Sequence, residues 1–161
     1  GICYGMQMAI IEFARNKLNL INATSSEFDK KGLPIIGLIN EWKKDGKTIK
    51  GTDKDLGGTM RLGSYDAKLK ENSMINKIYK KNLIKERHRH RYEVNIAYKE
   101  KFEKNGMIFS GLSPDGELPE IIELRNHPWF IGVQFHPEFK SRPLAPHPLF
   151  SSFIKASKNH K

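Results

Sequence analysis

Two parts of this sequence carry side chains that could act together on a substrate: a cysteine near one end and a His-x-Glu pair near the other. Cys3, the only cysteine, lies in the run Gly-Ile-Cys-Tyr-Gly-Met-Gln over residues 1–7. An apolar residue, a nucleophile, any residue and a glycine are typical of a strand that ends in a tight turn and opens a helix. Such a turn holds the sulfur clear of the backbone, and we expect the positive N-terminus of the helix to favour thiolate over thiol.

A cysteine nucleophile needs a base and a group that orients the base. His136 follows the apolar run 130–135, and Glu138 comes two residues later, beyond Pro137. A strand end delivers side chains to the edge of a sheet, where open α/β folds place their sites. Singly, a lone cysteine is more often a buried apolar residue, and a His-Pro-Glu run is usually only a loop. Together, at opposite ends of one domain, they predict a triad in which Glu138 orients His136 and His136 faces Cys3.

Apolar spacing and turn residues predict the elements that position these side chains. The predicted helices are 6–15, 73–79 with Ser73 as the cap, 96–105 and 149–157. The predicted strands are 33–39, 107–112, 121–124 and 129–135. We interpret 20–28 as a loop and 43–54 as an exposed hairpin tip. One α/β domain over residues 1–161 is the simplest arrangement.

The bulk composition suits a globular protein. The chain has 161 residues, of which 38% are hydrophobic and 10% aromatic, so it can bury a core. No run approaches the ~20 apolar residues of a membrane span, and no signal-peptide pattern opens the chain. A single cysteine allows no internal disulfide, which fits a reducing cytoplasm. We therefore expect a cytoplasmic protein without a membrane partner.

The net charge of +10, from 28 Lys and Arg against 18 Asp and Glu, could attract nucleic acid. The lysines are scattered and alternate with other residue types, as on solvated faces, so we expect no nucleic-acid partner. The stretch 87–91 reads Arg-His-Arg-His-Arg, and in a strand its arginines and histidines would lie on opposite faces. A histidine pair without a third ligand nearby is a weak metal signal. We predict no metal site.

The motifs around Cys3 and His136 resemble those of the class I glutamine amidotransferase family. More narrowly, four blocks resemble, in order, the C-terminal part of the CTP synthase family: residues 22–28, 55–63, 86–95 and 136–143. The resemblance covers nearly the whole chain. It implies a flavodoxin-like three-layer α/β/α fold with a nucleophile elbow. It also implies that the first part of the amidotransferase domain, with a second oxyanion donor and a lid, is missing, so we expect the segment alone to fold poorly and to be inactive.

By this resemblance, Cys3 attacks the side-chain amide of glutamine, and His136 generates the thiolate and then protonates the departing ammonia. Glu138 orients His136 and stabilises the imidazolium. The backbone N–H of Tyr4 is one oxyanion donor. The thioester that forms is hydrolysed to glutamate.

The resemblance also assigns glutamine recognition to Gln7, Glu27 and Arg91. Glu27 suits the α-ammonium group, and Arg91 can bind the α-carboxylate with two parallel hydrogen bonds. Thr59 and Arg61 are candidates for coupling to GTP, which stimulates glutamine hydrolysis in that family. A purely structural turn at this place is an equally good interpretation.

For the whole enzyme, the resemblance implies a synthase domain elsewhere in the same polypeptide. That domain would use ATP, Mg²⁺ and the ammonia to aminate UTP to CTP, in a homotetramer. One alternative is another class I amidotransferase or a γ-glutamyl hydrolase with the same triad, against which the blocks 56–63 and 87–95 argue. The remaining alternative is a basic nucleic-acid-binding module.

Overall fold

The computed structural model describes residues 1–38 and 60–160. Its helices are α1 (Tyr4–Lys17), α2 (Met74–Tyr79), α3 (Lys99–Lys104) and α4 (Pro148–Asn159). Its strands are β1 (Ala23–Ser25), β2 (Leu33–Leu38), β3 (Arg61–Leu69), β4 (Leu83–His90), β5 (Tyr92–Val94), β6 (Met107–Leu112), β7 (Pro119–Leu124) and β8 (Ile131–Val133). Short 3₁₀ turns occupy Ile96–Tyr98 and Pro137–Phe139. No helix in these ranges is long and apolar enough to cross a membrane.

The strands form two sheets. The larger has the order β4-β3-β6-β7-β8, and each neighbouring pair is antiparallel. The smaller has the order β1-β2-β5, with β1 and β2 parallel. Ile2 adds a parallel bridge to Val133 at the free edge of β8. The start of the chain therefore lies directly beside the strand that precedes His136.

Helices cover both faces of the larger sheet, as the alternation of side chains on β7 demonstrates. Ile122 packs in one apolar core with Ile10 of α1. Its neighbour Ile121 packs in a second core with Ile75 of α2 and Leu149 of α4. Successive side chains of a strand point to opposite faces, so the two cores lie on the two sides of the sheet. This agrees with the three-layer arrangement that the family resemblance implied.

Most predicted elements are confirmed, with shifted ends. Ser73 caps α2 by accepting a hydrogen bond from the backbone N–H of Asn76. The interpretation of 20–28 as an unbroken loop is wrong, because Ala23–Ser25 pairs with β2 as the short strand β1. Three residues are too few for a strand period, so only pairing with β2 reveals β1. The predicted strand 129–135 is shorter in the structure, where only Ile131–Val133 forms a strand. The predicted hairpin tip 43–54 lies outside the described residues.

The alternation predicted for the Arg-His stretch is confirmed in β4. Glu86, His88 and His90 are buried, whereas Arg87 and Arg89 are exposed. The histidines lie on the buried face of β4, and the arginines lie on its solvent-exposed face. The polar residues of β4 therefore divide into an interior group and a surface group.

A buried cluster fixes the segment that follows His136. The Nδ1 atom of His147 accepts a hydrogen bond from the backbone N–H of Leu149 at 3.3 Å and thereby caps α4. The proton of the neutral ring therefore lies on Nε2, which is 3.1 Å from Oε1 of Glu86. The Tyr79 hydroxyl donates to the same oxygen at 3.1 Å. These contacts hold α2, α4 and β4 together, close behind the candidate site.

Candidate active site

Cys3 lies at the tight turn that the sequence predicted. It is the N-cap of α1, with φ 49° and ψ −106°, a backbone conformation that L residues rarely adopt. Its N–H donates to the Val133 carbonyl at 2.7 Å. A Cβ built on Gly1 would lie 2.7 Å from the carbonyl carbon of Gly5, so the turn leaves no room for a side chain there. Glycine at position 1 is therefore a steric requirement of this turn, whereas a Cβ on Gly5 would meet nothing within 4 Å.

The surroundings of the Cys3 sulfur oppose its ionisation overall. Burial raises the pKa of the thiol, and the carboxylates of Glu93 and Glu138 raise it further. The backbone N–H of Tyr4 and the Gln134 amide, whose Nε2 is 3.7 Å from Sγ, lower the pKa. The Tyr4 N–H at the helix N-terminus therefore favours the thiolate, but burial outweighs it and the pKa of the thiol is raised. A base must take the thiol proton.

His136 has the hydrogen-bonding pattern of such a base. Its Nδ1 is 2.6 Å from Oε1 of Glu138. Because the carboxylate accepts, Nδ1 carries the proton and Nε2 keeps its lone pair. Nε2 is buried and has no hydrogen-bond partner among the described residues. The ring is also stacked on Phe139, with centroids 4.9 Å apart, and the backbone N–H of His136 donates to the Arg87 carbonyl at 2.8 Å.

The structure brings Cys3 and His136 to the same end of β8. Cys3 is anchored to Val133, the last residue of that strand, and His136 follows three residues later. Gln134, between them in sequence, contacts the sulfur. The two motifs, 133 positions apart along the chain, thus meet at one strand end.

The three residues predicted to recognise glutamine lie on elements that converge on this strand end. Gln7, on the first turns of α1, is buried and donates through Nε2 to the Tyr92 carbonyl at 2.9 Å. Arg91 directly precedes β5, and its Nε is buried without a partner in the described part of the chain. Glu27 is exposed on the turn after β1. That turn lies beside the first residue of α1, because the ring of Phe28 packs edge-on against Tyr4, with centroids 6.0 Å apart.

Arg61, predicted as an effector residue, is buried in an ion-pair cluster. Its Nη1 lies 3.1 Å from Oε1 of Glu93 and 2.8 Å from Oε1 of Glu120. Both carboxylates are inaccessible to solvent. Arg61 therefore has a structural role, because it links Glu93 of β5 to Glu120 of β7. This role is separate from the predicted coupling to GTP. Thr59, the other predicted effector residue, lies outside the described residues.

The two histidines of β4 join this cluster as neutral rings. The Tyr92 carbonyl can only accept, so the Nδ1 of His90, 3.2 Å away, carries a proton. Its Nε2 therefore accepts from Nδ1 of His88 at 2.8 Å. Burial, reinforced by Arg61, lowers the pKa of His88 to about 2 and that of His90 to about 3. Within residues 1–38 and 60–160, no group of three or more His, Cys, Asp or Glu could hold a metal ion.

Sequence reasoning missed Gln134, Glu93 and Glu120. Gln134 stood inside a recognised motif, where an amide beside the base gave a usable signal. The buried glutamates gave none in isolation, because Glu is mostly exposed in proteins. The alternation in β4 was the one available hint that polar side chains line the interior.

Burial raises the pKa of Glu93 from 4.5 to about 8, although Arg61 opposes this. Between these pH values the folded protein keeps a proton that the unfolded chain loses, so stability falls as pH rises from 4.5 through about 8. This proton makes the unfolding free energy fall by up to about 1.4 kcal/mol per pH unit in that range. In the full-length protein, we expect Glu93→Gln to abolish this part of the pH dependence. Thermal melts from pH 5 to 9 would measure it.

Glu100→Gln is the matched control, because Glu100 is exposed on α3. We expect that variant to melt with the pH dependence of the unsubstituted protein. Identical pH dependence in Glu93→Gln and Glu100→Gln would contradict the assignment of a proton to buried Glu93.

Comparison with known proteins places the chain in a family. Residues 1–156 match the family described as glutamine amidotransferase class-I. CTP synthase from Pelagibacter ubique (strain HTCC1062) is 90% identical over all 161 residues of the chain, which span 30% of that relative. CTP synthase from Hyphomonas neptunium (strain ATCC 15444) is 61% identical over 158 residues, covering 98% of the chain and 29% of the relative. The chain thus spans about a third of the length of these curated relatives.

The fold matches a solved structure described as the glutaminase domain of Trypanosoma brucei CTPS with bound acivicin. The TM-score is 0.84 and the sequence identity 34%, over 100% of this chain and 60% of that one. The similar fold and the family match over residues 1–156 agree in extent. This chain belongs to the class I glutamine amidotransferase family.

Proposed function

We propose that this chain is the glutaminase part of a CTP synthase and hydrolyses glutamine to glutamate and ammonia. The observation that carries the proposal is the 90% identity, over the whole chain, to a CTP synthase. The cysteine, histidine and glutamate at one strand end support it chemically, because they supply a nucleophile, a base and an orienting carboxylate.

The reaction begins with transfer of the Cys3 thiol proton to Nε2 of His136. The thiolate adds to the amide carbon of glutamine, and the backbone N–H of Tyr4 stabilises the oxyanion, a contribution of roughly 3 kcal/mol for one such donor. The C–N bond then breaks as His136 returns its proton to the departing nitrogen, giving ammonia and a thioester. Water, deprotonated by His136, attacks the thioester and releases glutamate and the Cys3 thiol. Glu138 stabilises the imidazolium in both halves of the reaction.

Glutamine binding is proposed for Gln7, Glu27 and Arg91. The buried, unpartnered Nε of Arg91 supports its part, because a carboxylate at that place would satisfy a buried donor. The exposed carboxylate of Glu27, on the turn packed beside Tyr4, is free to meet an α-ammonium group.

Further proposals concern the whole protein. The ammonia would aminate UTP in a synthase domain of the same polypeptide, which would bind ATP and Mg²⁺ outside this chain. GTP would stimulate hydrolysis through Thr59 and Arg61, and the assembly would be a cytoplasmic homotetramer. Each of these is proposed from the identity to CTP synthases.

The test is a parallel assay of the full-length protein for glutamate release and CTP formation. With glutamine, ATP and UTP we expect both products, and with ammonium in place of glutamine we expect CTP without glutamate. Glutamate release that never yields CTP would support another amidotransferase or a γ-glutamyl hydrolase instead. Salt-dependent binding to DNA or RNA without glutamate release would support the nucleic-acid alternative.

Replacing Glu138 by glutamine tests the orienting carboxylate. Glu138→Gln keeps an oxygen for Nδ1–H of His136 but removes the negative charge that stabilises the imidazolium. We expect kcat with glutamine to fall about 10²-fold or more, with CTP formation from ammonium unchanged. Steady-state rates with the two nitrogen sources measure this, and a kcat within twofold of the unsubstituted enzyme would contradict the role.

A further inference from the structure

Gln134 is a buried amide that the triad chemistry does not use. It has no solvent exposure and lies between the end of β8 and His136. Its backbone N–H donates to the Glu120 carbonyl at 2.8 Å, which fixes the main chain. Its side chain is engaged at both ends: Nε2 lies 3.7 Å from Sγ of Cys3, and Oε1 lies 3.2 Å from Nε2 of Gln7.

A backbone carbonyl determines which way this amide points. The Tyr92 carbonyl can only accept a hydrogen bond, so Gln7 must present Nε2 to it. The same Nε2 faces Gln134, so Gln134 must present its oxygen to Gln7. The nitrogen of Gln134 is therefore directed at the Cys3 sulfur. The orientation of both amides follows from hydrogen-bond partners and does not depend on distinguishing N from O in the side chains.

We propose that Gln134 is a positioning residue that holds an N–H donor on the Cys3 sulfur and holds Gln7 with its Oε1 available to glutamine. The second half of this inference rests on the proposed glutaminase function. The first half concerns only the sulfur and stands without it. Nothing in the recognised triad supplies either contact.

The chemistry of the sulfur explains why a second donor is useful. Of the groups near Cys3, the Tyr4 N–H and the Gln134 amide favour the thiolate, against burial and two carboxylates. During attack the Tyr4 N–H is required by the oxyanion. Gln134 can keep its contact throughout, because the oxyanion takes its hydrogen bond from the Tyr4 N–H and not from the Gln134 amide. A hydrogen bond to a charged acceptor is also stronger than one to a neutral thiol.

The orientation of Gln7 matters for substrate choice. With Nε2 occupied by the Tyr92 carbonyl and Gln134, only Oε1 of Gln7 remains to meet the substrate. An acceptor at that place favours a ligand that donates, such as an ammonium or amide N–H. A flipped Gln7 would present two N–H donors instead and would repel the same groups.

The experiment measures the pH dependence of Cys3 alkylation by iodoacetamide in the full-length protein, read from the Cys3 peptide by mass spectrometry. Gln134→Met keeps the length of the side chain and removes the donor. We expect the alkylation midpoint to move up by about one pH unit or more, the effect of one hydrogen bond to a charged group. KM for glutamine should rise several-fold as Gln7 loses its fixed orientation.

Gln7→Met is the matched control, because it makes the same side-chain change one contact further from the sulfur. We expect it to raise KM for glutamine and to move the alkylation midpoint less than Gln134→Met does, because the Gln134 amide remains beside the sulfur. Gln134→Asn keeps a buried amide but is one methylene too short to span Cys3 and Gln7, so it should reproduce the midpoint shift of Gln134→Met. Thermal melts identify the folded variants, and the asparagine variant carries the test if the methionine variant does not fold.

An unchanged alkylation midpoint in a folded Gln134 variant would overturn the proposal, as would an identical midpoint shift in Gln7→Met. A merely structural role would lower kcat/KM without moving the midpoint. Alkylation needs no glutamine, so the two proposals can fail separately. If the Gln134 variants shift the midpoint but the unsubstituted protein releases no glutamate, the proposed function is overturned and the contact to sulfur is supported. If the unsubstituted protein releases glutamate but the Gln134 variants leave the midpoint unchanged, the proposed function is supported and the role of Gln134 is overturned.

Discussion

The full-length Cys3→Ala protein is expected to lose glutamine-dependent CTP synthesis, by at least about 10⁴-fold in kcat, and to keep synthesis from ammonium. Alanine removes the only atom that can form the thioester, so nothing in the site can replace it. Ammonia supplied from solution bypasses the step. Rates with glutamine and with ammonium, measured on one preparation, test both halves of this expectation. An equal fall with both nitrogen sources would make Cys3 structural.

The backbone at Cys3 provides a control for folding. At φ 49° an alanine is as strained as the cysteine, whereas glycine adopts this conformation freely. We expect Cys3→Gly to be more stable than Cys3→Ala by about 1 kcal/mol, with the same loss of glutamine-dependent activity. If instead the glycine variant were the less stable, the turn would not carry the strain that its geometry indicates.

Removing the Arg61 guanidinium is expected to cost about 3–5 kcal/mol of unfolding free energy, the usual loss when one partner of a buried ion pair is deleted. Arg61→Met leaves the buried Glu120 carboxylate without a counter-charge, beside the buried carboxyl group of Glu93. Denaturant unfolding of the full-length protein, followed by a probe in this domain, would measure the loss. A cost below about 1 kcal/mol, typical of a surface pair, would contradict the buried cluster.

Two further variants separate the structural role of Arg61 from effector coupling. Adding Glu120→Gln to Arg61→Met should recover part of the lost stability, because it removes a carboxylate that has no partner. Arg61→Lys keeps the charge but lacks the planar fork that reaches both carboxylates, so we expect an intermediate loss. A residue that acted in GTP coupling alone would change the response to GTP and leave unfolding unchanged in all three variants.

Several features of the fold were predictable because they are local. The glycines around Cys3 indicated a sharp turn, and the structure explains Gly1 by its close approach to the backbone of Gly5. The alternation of His88 and Arg89 indicated a strand with one buried face, as β4 has. Strand β1 was missed because three residues carry no period, and its existence depends on pairing with β2.

The candidate site also has features that local sequence predicts and features that depend on tertiary contacts. The residue types and order of Cys3, His136 and Glu138 suggested nucleophilic chemistry and a family before any fold was known. The ionisation of the sulfur did not follow from the turn, because it depends on burial and on Glu93, a residue 90 positions away. The sequence made Arg61 an effector candidate, whereas its buried partners come from β5 and β7.

By itself, then, the sequence determined the family and predicted the nucleophile, its base and the orienting carboxylate, because each rests on short motifs whose meaning is local. Only the tertiary structure decided that the Tyr92 carbonyl orients Gln7, that Gln7 orients Gln134, and that Gln134 donates to Cys3. Those contacts join α1, β5 and the end of β8. They exist because strand pairing brings together backbone and side-chain groups that no sequence spacing relates.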